Sequence, residues 1–285
     1  MTTTVQQPPA AAKIHTVSGG AGVALHVREW GQANGPTILM IHGWSGNHMC
    51  WSRQVQSGLV EEFRLVALDL RGHGMSEQPL DPQQYRDAAL WAADVAAVID
   101  QCHLDQPTLL GWSYGGFVIC DYIRAFGQDA IRAINFAGAA VTLNESFDDI
   151  GSAFLANAAD GSDPDLPTRI AALRRFWHSM TAKGLGPADM ETGLCGSVAV
   201  PPQVLGALIS RRIDSDDVLT RLHVPILVTQ GRQDQIVSPS MADHILQLCP
   251  AATASWYDVA GHAPFIEHPD RFNRELAALA RGAAA

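Results

Sequence analysis

A serine between two glycines is the residue of this sequence best placed to act as a nucleophile. The stretch Gly111-Trp112-Ser113-Tyr114-Gly115-Gly116 follows a short apolar run at 107–110 and precedes a longer one at 117–123. At such a strand-to-helix turn the serine side chain is lifted clear of the sheet, and the flanking glycines let the backbone turn without a clash. The first N–H groups of the helix point to the same place, where a negative oxygen would be stabilised. We therefore predict that Ser113 is a nucleophile.

An activated serine needs a base within hydrogen-bond reach and a carboxylate that orients the base. After a strand-helix serine turn, these partners follow in the order acid, then histidine. Asp234 lies in a loop, 231–237, that follows one predicted strand, and His262 lies in a loop, 261–265, that follows the last one. Parallel sheets place their sites at the carboxyl ends of the strands. The sequence therefore predicts that Asp234 orients His262 and that His262 takes the serine proton.

Two backbone amides are predicted to stabilise the negative oxygen of the intermediate. One is the amide of Tyr114, next after the nucleophile, and the other is the amide of Trp44, in the loop that follows a predicted strand at 37–41. His42 is predicted to orient that loop by hydrogen bonds. Bulky apolar side chains are predicted to line the substrate pocket: Trp44, Phe154, Trp177, Met180 and Phe265.

Apolar runs that alternate with helical patterns indicate the elements that hold these loops. The predicted strands lie at 14–18, 23–30, 37–41, 64–69, 107–110, 131–136, 224–231 and 254–259. The predicted helices lie at 51–60, 85–102, 117–126, 240–248 and 269–280. This alternation predicts an α/β fold with a mostly parallel central sheet flanked by helices.

One region breaks the alternation. Residues 140–220 carry helical patterns separated by polar breaks, with no convincing buried strand. We predict that they form a helical cap, or lid, inserted into a core made of residues 13–139 and 221–285. Residues 1–12, rich in Thr, Gln, Pro and Ala, are predicted to be a disordered tail.

Composition narrows the classes of partner. The chain has 285 residues, 47% of them hydrophobic, and a net charge of −10, which argues against nucleic acid or an anionic membrane as partner. No apolar run approaches the roughly 18 residues of a membrane span. Five widely spaced cysteines without a C-x-x-C pair are typical of reduced thiols, so we predict a cytoplasmic protein. No metal-binding spacing is found, and a homodimer is left open.

Five stretches together resemble the α/β-hydrolase family, in its branch of serine esterases and cofactor-free haloperoxidase-like hydrolases. The matching stretches are His42-Gly43-Trp44 and those at 69–76, 111–116, 231–237 and 261–265. The resemblance implies an α/β-hydrolase fold without a cofactor, and it assigns the same nucleophile, acid, base and oxyanion donors. Two features distinguish branches: dehalogenases and epoxide hydrolases of this fold use aspartate where this chain has Ser113, and the haloperoxidase-like branch usually has methionine where it has Tyr114.

The interpretation that combines these observations is a serine hydrolase of small to medium carboxylic esters that works through an acyl-enzyme. Two alternatives stay open. A hydrolase of C–C bonds or lactones would use the same three residues with a different pocket. A ligand sensor would bind or slowly convert a small signal, and its cap would change shape to recruit a partner.

Overall fold

An eight-stranded sheet forms the centre of the computed structural model, which describes residues 12–143 and 148–282. The predicted tail, apart from Ala12, lies outside the described residues. The strands of the chain are β1 (Lys13–Ser18), β2 (Ala24–Gly31), β3 (Thr37–Ile41), β4 (Arg64–Leu68), β5 (Thr108–Trp112), β6 (Ala133–Ala137), β7 (Thr142–Leu143), β8 (Ile213–Asp214), β9 (Ile226–Gly231) and β10 (Thr253–Tyr257).

The order of strands in the sheet is β1-β2-β4-β3-β5-β6-β9-β10. β2 runs antiparallel to both of its neighbours, whereas the pairings from β4 to β10 are parallel. Every residue of β3, β4, β5 and β6 is buried, as expected for strands that are covered on both faces. The prediction of a mostly parallel α/β sheet is confirmed.

Twelve helices are found in the described residues. They are α1 (Ser52–Val55), α2 (Gln83–Arg86), α3 (Ala88–Gln101), α4 (Gly115–Phe126), α5 (Ser152–Gly161), α6 (Leu166–His178), α7 (Pro187–Val198), α8 (Pro202–Ile209), α9 (Asp216–Leu219), α10 (Pro239–Leu248), α11 (Pro264–Glu267) and α12 (Pro269–Ala280). α3 packs against α4, α10 against β9, and α12 against β6.

Two predicted helices differ from the structure because of local side-chain hydrogen bonds. The helix predicted at 51–60 is only α1, with 3-10 turns on either side, because the Ser57 hydroxyl accepts from the Leu59 amide at 3.2 Å and starts a new turn. The helix predicted at 85–102 begins at Ala88 instead. Asp87 is extended there, and its carboxylate accepts from the Ala89 amide at 2.9 Å, which caps α3.

The segment between β6 and β9, residues 138–225, is called the insert below. It carries α5 to α9, in agreement with its helical pattern, but it also contains a strand pair that the sequence does not predict. β7 and β8 pair antiparallel through Thr142–Asp214 and Leu143–Ile213. A strand of two residues is too short to show a periodic hydrophobic pattern. The pairing that joins the two ends of the insert therefore cannot be predicted from the sequence.

No single helix of the described residues is both long and apolar enough to cross a membrane. α7 and α8 reach the required length and apolar composition only when taken together, and a 91° bend separates them.

Candidate active site

Ser113 lies directly after β5 and immediately before the turn that starts α4. Its φ of +54° is in the left-handed region, which costs a residue with a side chain roughly 1–3 kcal/mol. Backbone hydrogen bonds hold this conformation. The Ser113 amide donates to the Ala137 carbonyl at 3.2 Å, and its carbonyl accepts from the amides of Gly116 and Ala140 at 2.9 and 3.0 Å. The strained turn is thus fixed by the neighbouring strand and by the start of the insert.

The glycines around Ser113 are required by close backbone approach. A Cβ atom at Gly111 would lie 2.9 Å from the backbone of Gly115. A Cβ atom at Gly115 would collide with the carbonyl oxygen of Ile41, at the end of β3. The motif is therefore more than a flexible turn, because it lets α4 start against two strand ends at once.

Asp234 and His262 meet at the ends of β9 and β10. His262 Nδ1 lies 2.8 Å from Asp234 Oδ2, and both side chains are fully buried. The carboxylate also accepts from the amides of Ile236 and Val237 at 2.8 and 3.0 Å and from the Gln230 side chain at 3.0 Å. A carboxylate can only accept, so Nδ1 carries the hydrogen and Nε2 is left as a bare acceptor.

The bare Nε2 atom of His262 belongs to the same cluster of strand ends as Ser113. It is buried and makes no hydrogen bond within the described residues, so it is not bonded to the Ser113 hydroxyl in this structure. The two residues are connected through Trp112, whose indole N–H donates to the His262 carbonyl at 3.0 Å. Gly138 completes the cluster, because a Cβ atom there would lie 3.2 Å from His262 Nδ1 and 3.4 Å from Asp234 Oδ2. Hydrogen bonds to a catalytic base are often long before substrate binds.

The loop after β3 lies against the nucleophile. A Cβ atom at Gly43 would lie 2.8 Å from the Ser113 Cβ and 3.3 Å from its hydroxyl oxygen. Ser45 has a φ of +58°, and the Gly46 amide donates to the Gly43 carbonyl at 3.1 Å, which closes a turn around Trp44. Within residues 12–143 and 148–282, neither the Trp44 amide nor the Tyr114 amide donates a hydrogen bond. Both predicted oxyanion donors are therefore available.

His42 orients this loop, in line with the role the sequence predicts. Its Nδ1 lies 2.8 Å from the Gly43 carbonyl, and its Nε2 accepts from the Leu70 amide at 3.0 Å. Nε2 therefore bears no proton and Nδ1 is the donor. Burial lowers the pKa of His42 to about 3, which keeps the ring neutral.

A small apolar cavity of about 30 Å³ opens at Ser113. Its other lining residues are Trp44, Tyr114, Phe117, Ala140, Leu143, Ile150, Phe154, Leu208, Ile209, Ile236 and Val237. This volume holds little more than one water molecule, so an acyl group enters only if the lining side chains move. Leu143, Ile150, Phe154, Leu208 and Ile209 come from the insert, so the insert covers the nucleophile.

Of the five residues predicted to line the substrate pocket, Trp44 and Phe154 line this cavity, with ring centroids 5.5 Å apart. The other three do not. Phe265 is buried between Trp51 and Trp112, and Met180 is buried in the core. Trp177 donates its indole N–H to Ser197 at 2.7 Å and lines a separate groove of about 370 Å³.

Several residues of the site were not predicted. Gln230 was missed, although a polar residue within an otherwise apolar buried strand is a signal that it has a specific partner. Leu208 and Ile209 line the cavity from the end of α8, but the helical pattern alone does not say which of its apolar residues face the serine. Tyr114 was predicted for its amide only, whereas its hydroxyl also accepts a hydrogen bond from Arg211 at 3.0 Å.

A second Asp–His pair lies beside β4. Asp69 lies 2.9 Å from His48 Nδ1, and His26 is close enough for the three side chains to place ligand atoms within 4.8 Å of one another. A cation there would have poor ligands. Both Asp69 oxygens already accept backbone amides, from His48 at 2.6 Å and from Met75 at 3.0 Å, and the Arg28 guanidinium donates to His26 Nε2 at 3.2 Å. The cluster is better suited to hold the loops after β3 and β4 together.

Comparison with known proteins extends these observations. Residues 36–269 match a family model described as alpha/beta hydrolase fold. A non-heme chloroperoxidase from Streptomyces lividans is 27% identical over 279 residues, which cover 93% of this chain and 99% of the relative. A bifunctional esterase/perhydrolase from Acinetobacter calcoaceticus is 27% identical and is matched over 80% of its length by 76% of this chain. The crystal structure of an esterase from a Rhodococcus species has a TM-score of 0.88 at 33% identity, covering 95% of this chain and 99% of that one. The matched segment contains each strand-end loop of the site.

Proposed function

The chain is an esterase-like enzyme of the α/β-hydrolase family, and we propose that it cleaves carboxylic esters through a covalent acyl–serine intermediate. The observation that carries the proposal is the buried Asp234–His262 pair, whose unpartnered Nε2 belongs to the same cluster of strand ends as Ser113. An acceptor nitrogen in that position is suited to remove the serine proton. The esterases among the similar proteins support the same reaction class.

The first half of the proposed reaction forms the acyl-enzyme. His262 Nε2 takes the proton of the Ser113 hydroxyl as its oxygen attacks the ester carbonyl carbon. The negative charge moves to the carbonyl oxygen, where the amides of Trp44 and Tyr114 donate to it. Asp234 keeps the hydrogen on Nδ1 and stabilises the imidazolium. His262 then gives its proton to the leaving alcohol as the C–O bond breaks.

The second half repeats these roles with water. His262 removes a proton from water, and the resulting nucleophile attacks the acyl carbon held by Ser113. The same two amides stabilise the second tetrahedral intermediate. Its collapse releases the carboxylic acid and returns the proton to the serine oxygen.

The insert is proposed to be the cap that selects the substrate. Every side chain that it contributes to the cavity is apolar, which favours uncharged acyl groups of small to medium size. A cytoplasmic location is also proposed, supported by five free cysteines.

The test is hydrolysis of p-nitrophenyl esters from acetate to decanoate by the wild type and by Ser113→Ala. We expect the wild type to hydrolyse the short esters and the variant to lose on the order of 10³-fold or more of kcat. The control is Ser179→Ala, which removes a serine hydroxyl that only bonds the Arg175 carbonyl and should leave kcat unchanged. A fluorophosphonate probe should label the wild type and the control but not Ser113→Ala.

Three outcomes would change the proposal. Retained activity in Ser113→Ala would exclude the acyl–serine mechanism. Labelling without turnover of any ester would retain the nucleophile and redirect the search to C–C or lactone substrates. Single-turnover behaviour, together with ligand-dependent binding of a partner, would favour a sensor.

A further inference from the structure

A buried arginine from the insert holds the residue that follows the nucleophile. Arg211, between α8 and β8, donates from Nη1 to the Tyr114 hydroxyl at 3.0 Å and from Nη2 to Asp121 Oδ2 at 2.7 Å. All three residues are buried. Asp121 lies on α4, and Tyr114 is the N-cap residue of this helix, so the guanidinium links the start of the helix to its interior and to the insert.

The Arg211 guanidinium also lies near two aromatic rings. It lies 5.8 Å from the centroid of the Trp91 ring and 5.9 Å from that of Tyr114, within the range of cation–π attraction. A buried charge that leaves its carboxylate partner is strongly disfavoured. The Tyr114 side chain is thus held by a fixed donor.

The other predicted oxyanion donor is also tied to the insert. The Trp44 indole N–H donates to the carbonyl of Leu205, on α8, at 3.2 Å. The carbonyl of Ser45, next to it, accepts from the Ser197 hydroxyl at 2.8 Å. The two residues whose amides face the oxyanion are therefore bonded, through their side chains, to two ends of one stretch of the insert, Leu205 and Arg211.

Leu208 and Ile209, which line the cavity at Ser113, lie between these two anchors. An acyl group bound in the cavity would contact the same stretch that bonds the side chains of Trp44 and Tyr114. This stretch of the insert therefore borders both the cavity and the two predicted oxyanion donors.

We propose that Arg211 is a positioning residue for the oxyanion site, acting through the Tyr114 hydroxyl. The inference rests on the proposed function, because it assumes that the Tyr114 amide stabilises the oxyanion. It also gives a reason for tyrosine at this position, since methionine could not accept the bond from Arg211 with comparable strength.

The decisive variant is Tyr114→Phe, which keeps the ring and the Arg211–Asp121 pair but removes the hydroxyl. We expect kcat for p-nitrophenyl acetate to fall about tenfold with KM changed less than about twofold, because a displaced donor weakens the transition state more than the bound substrate. The rate of fluorophosphonate inactivation should fall by a similar factor. The matched control is Tyr85→Phe, which removes another buried hydroxyl, bonded to the Pro79 carbonyl at 2.7 Å, and should leave both rates unchanged.

A second variant tests whether the effect of Arg211 depends on its hydrogen bond to Tyr114 or only on its positive charge. Arg211→Lys keeps a cation for Asp121 but lacks the fork that reaches both partners. It should reproduce the kcat of Tyr114→Phe, and the double variant should be no slower than either single one. Rates within twofold of the wild type in both single variants, when both are folded by circular dichroism, would overturn the proposal and leave Arg211 with a purely structural role.

The experiment also distinguishes failure of the inference from failure of the proposed function. If Ser113→Ala is inactive and Tyr114→Phe is fully active, only the inference is overturned. If the wild type neither hydrolyses an ester nor reacts with the fluorophosphonate, both are overturned together. If it reacts without turnover, the inactivation rates still decide the role of Arg211.

Discussion

Two buried Asp–His pairs in this molecule have nearly the same Asp–His distance but differ in what surrounds the second ring nitrogen of the histidine. Asp234 and His262 are 2.8 Å apart at the ends of β9 and β10, and Asp69 and His48 are 2.9 Å apart beside β4. In the first pair, the other ring nitrogen is buried in the cluster that contains Ser113 and has no hydrogen-bond partner among the described residues. In the second pair, His48 borders the groove of about 370 Å³, away from the strained turn. The distance between the two side chains therefore does not identify a catalytic pair.

The two carboxylates also differ in what they hold. Asp69 accepts the amides of His48 and Met75 as well as the His48 ring, so it joins two loops to one carboxylate. Burial raises the pKa of Asp69, but the hydrogen bond from His48 and the nearby histidines outweigh burial and lower it to about 2. An ionised carboxylate that is so well satisfied stabilises the fold. The two pairs differ in the surroundings of the second ring nitrogen of the histidine. These surroundings, and not the Asp–His distance, distinguish the pair proposed to be catalytic from the pair that stabilises the fold.

The largest difference is expected when each histidine is replaced in turn. His262→Asn should lower kcat on the order of 10⁴-fold or more, because the base proposed to take the Ser113 proton is lost. His48→Asn should change kcat less than about tenfold. Steady-state hydrolysis of p-nitrophenyl acetate by the two variants measures both effects. An equal loss of kcat in the two variants would show that the two Asp–His pairs do not differ in their role in catalysis.

Replacing Asp234 should mainly lower kcat, whereas replacing Asp69 should mainly lower the free energy of unfolding. Asp234→Asn should lower kcat about 10⁴-fold, because an amide favours the wrong tautomer of His262. Asp69→Asn should lower the free energy of unfolding by about 2 kcal/mol at neutral pH, because it removes a carboxylate whose folded pKa is lowered to about 2 by the hydrogen bond from His48. The free energy of unfolding in urea and the kcat are measured on both variants. Loss of activity in Asp69→Asn without loss of stability would contradict this expectation.

An effect on stability is also expected in acid, through two neutral histidines near Asp69. Burial lowers the pKa of His42 to about 3 and that of His73 to about 4, below the value near 6.5 in an unfolded chain. The stabilisation is therefore complete above pH 6.5 and is lost as the pH falls towards these values, by about 1.4 kcal/mol per pH unit for each ring. Urea unfolding at about pH 7, 6 and 5 measures the slope.

The control for the acid experiment is His178→Gln. Its side chain lies outside this cluster, and its replacement should leave the slope unchanged. His73→Gln should reduce the slope by about half. A free energy of unfolding that stays constant from about pH 7 to 5 would show that these rings do not set the acid stability.

Sequence reasoning succeeded where a local pattern and a general rule coincide. Strands buried on both faces read as continuous apolar runs, so β3 was predicted with its observed ends. The C-terminal helix α12 was also predicted with its observed ends, because Pro269 suits a first helical turn. The loops with Ser113 and Asp234 follow the buried strands β5 and β9, whereas the loop with His262 follows the edge strand β10, whose first two residues are exposed. The three loops lie at one edge of the sheet.

The residues that sequence reasoning misplaced depend on packing between distant parts of the chain. Trp177 and Met180 were predicted to line the pocket but are buried elsewhere, because helical periodicity indicates a buried face and not the residues that it packs against. Phe265 was predicted from its place in the loop after the last strand, but it packs between Trp51 and Trp112. The bond between Arg211 and Tyr114 joins residues far apart in sequence that carry no shared motif. The roles of these residues became visible only with three-dimensional contacts.

The pairing of β6 with β9 joins two parts of the chain that are separated by the whole insert. Ile134 pairs with Ile226, so the whole insert must be closed into a loop before the two strands meet. Closing a long loop costs conformational entropy before its contacts form, which makes such pairing a late event in folding. Asp234 and His262 both follow β9 in the chain, whereas Ser113 precedes β6. Under the proposed mechanism, a chain that is still being synthesised therefore stays inactive until β9 and β10 have joined the sheet.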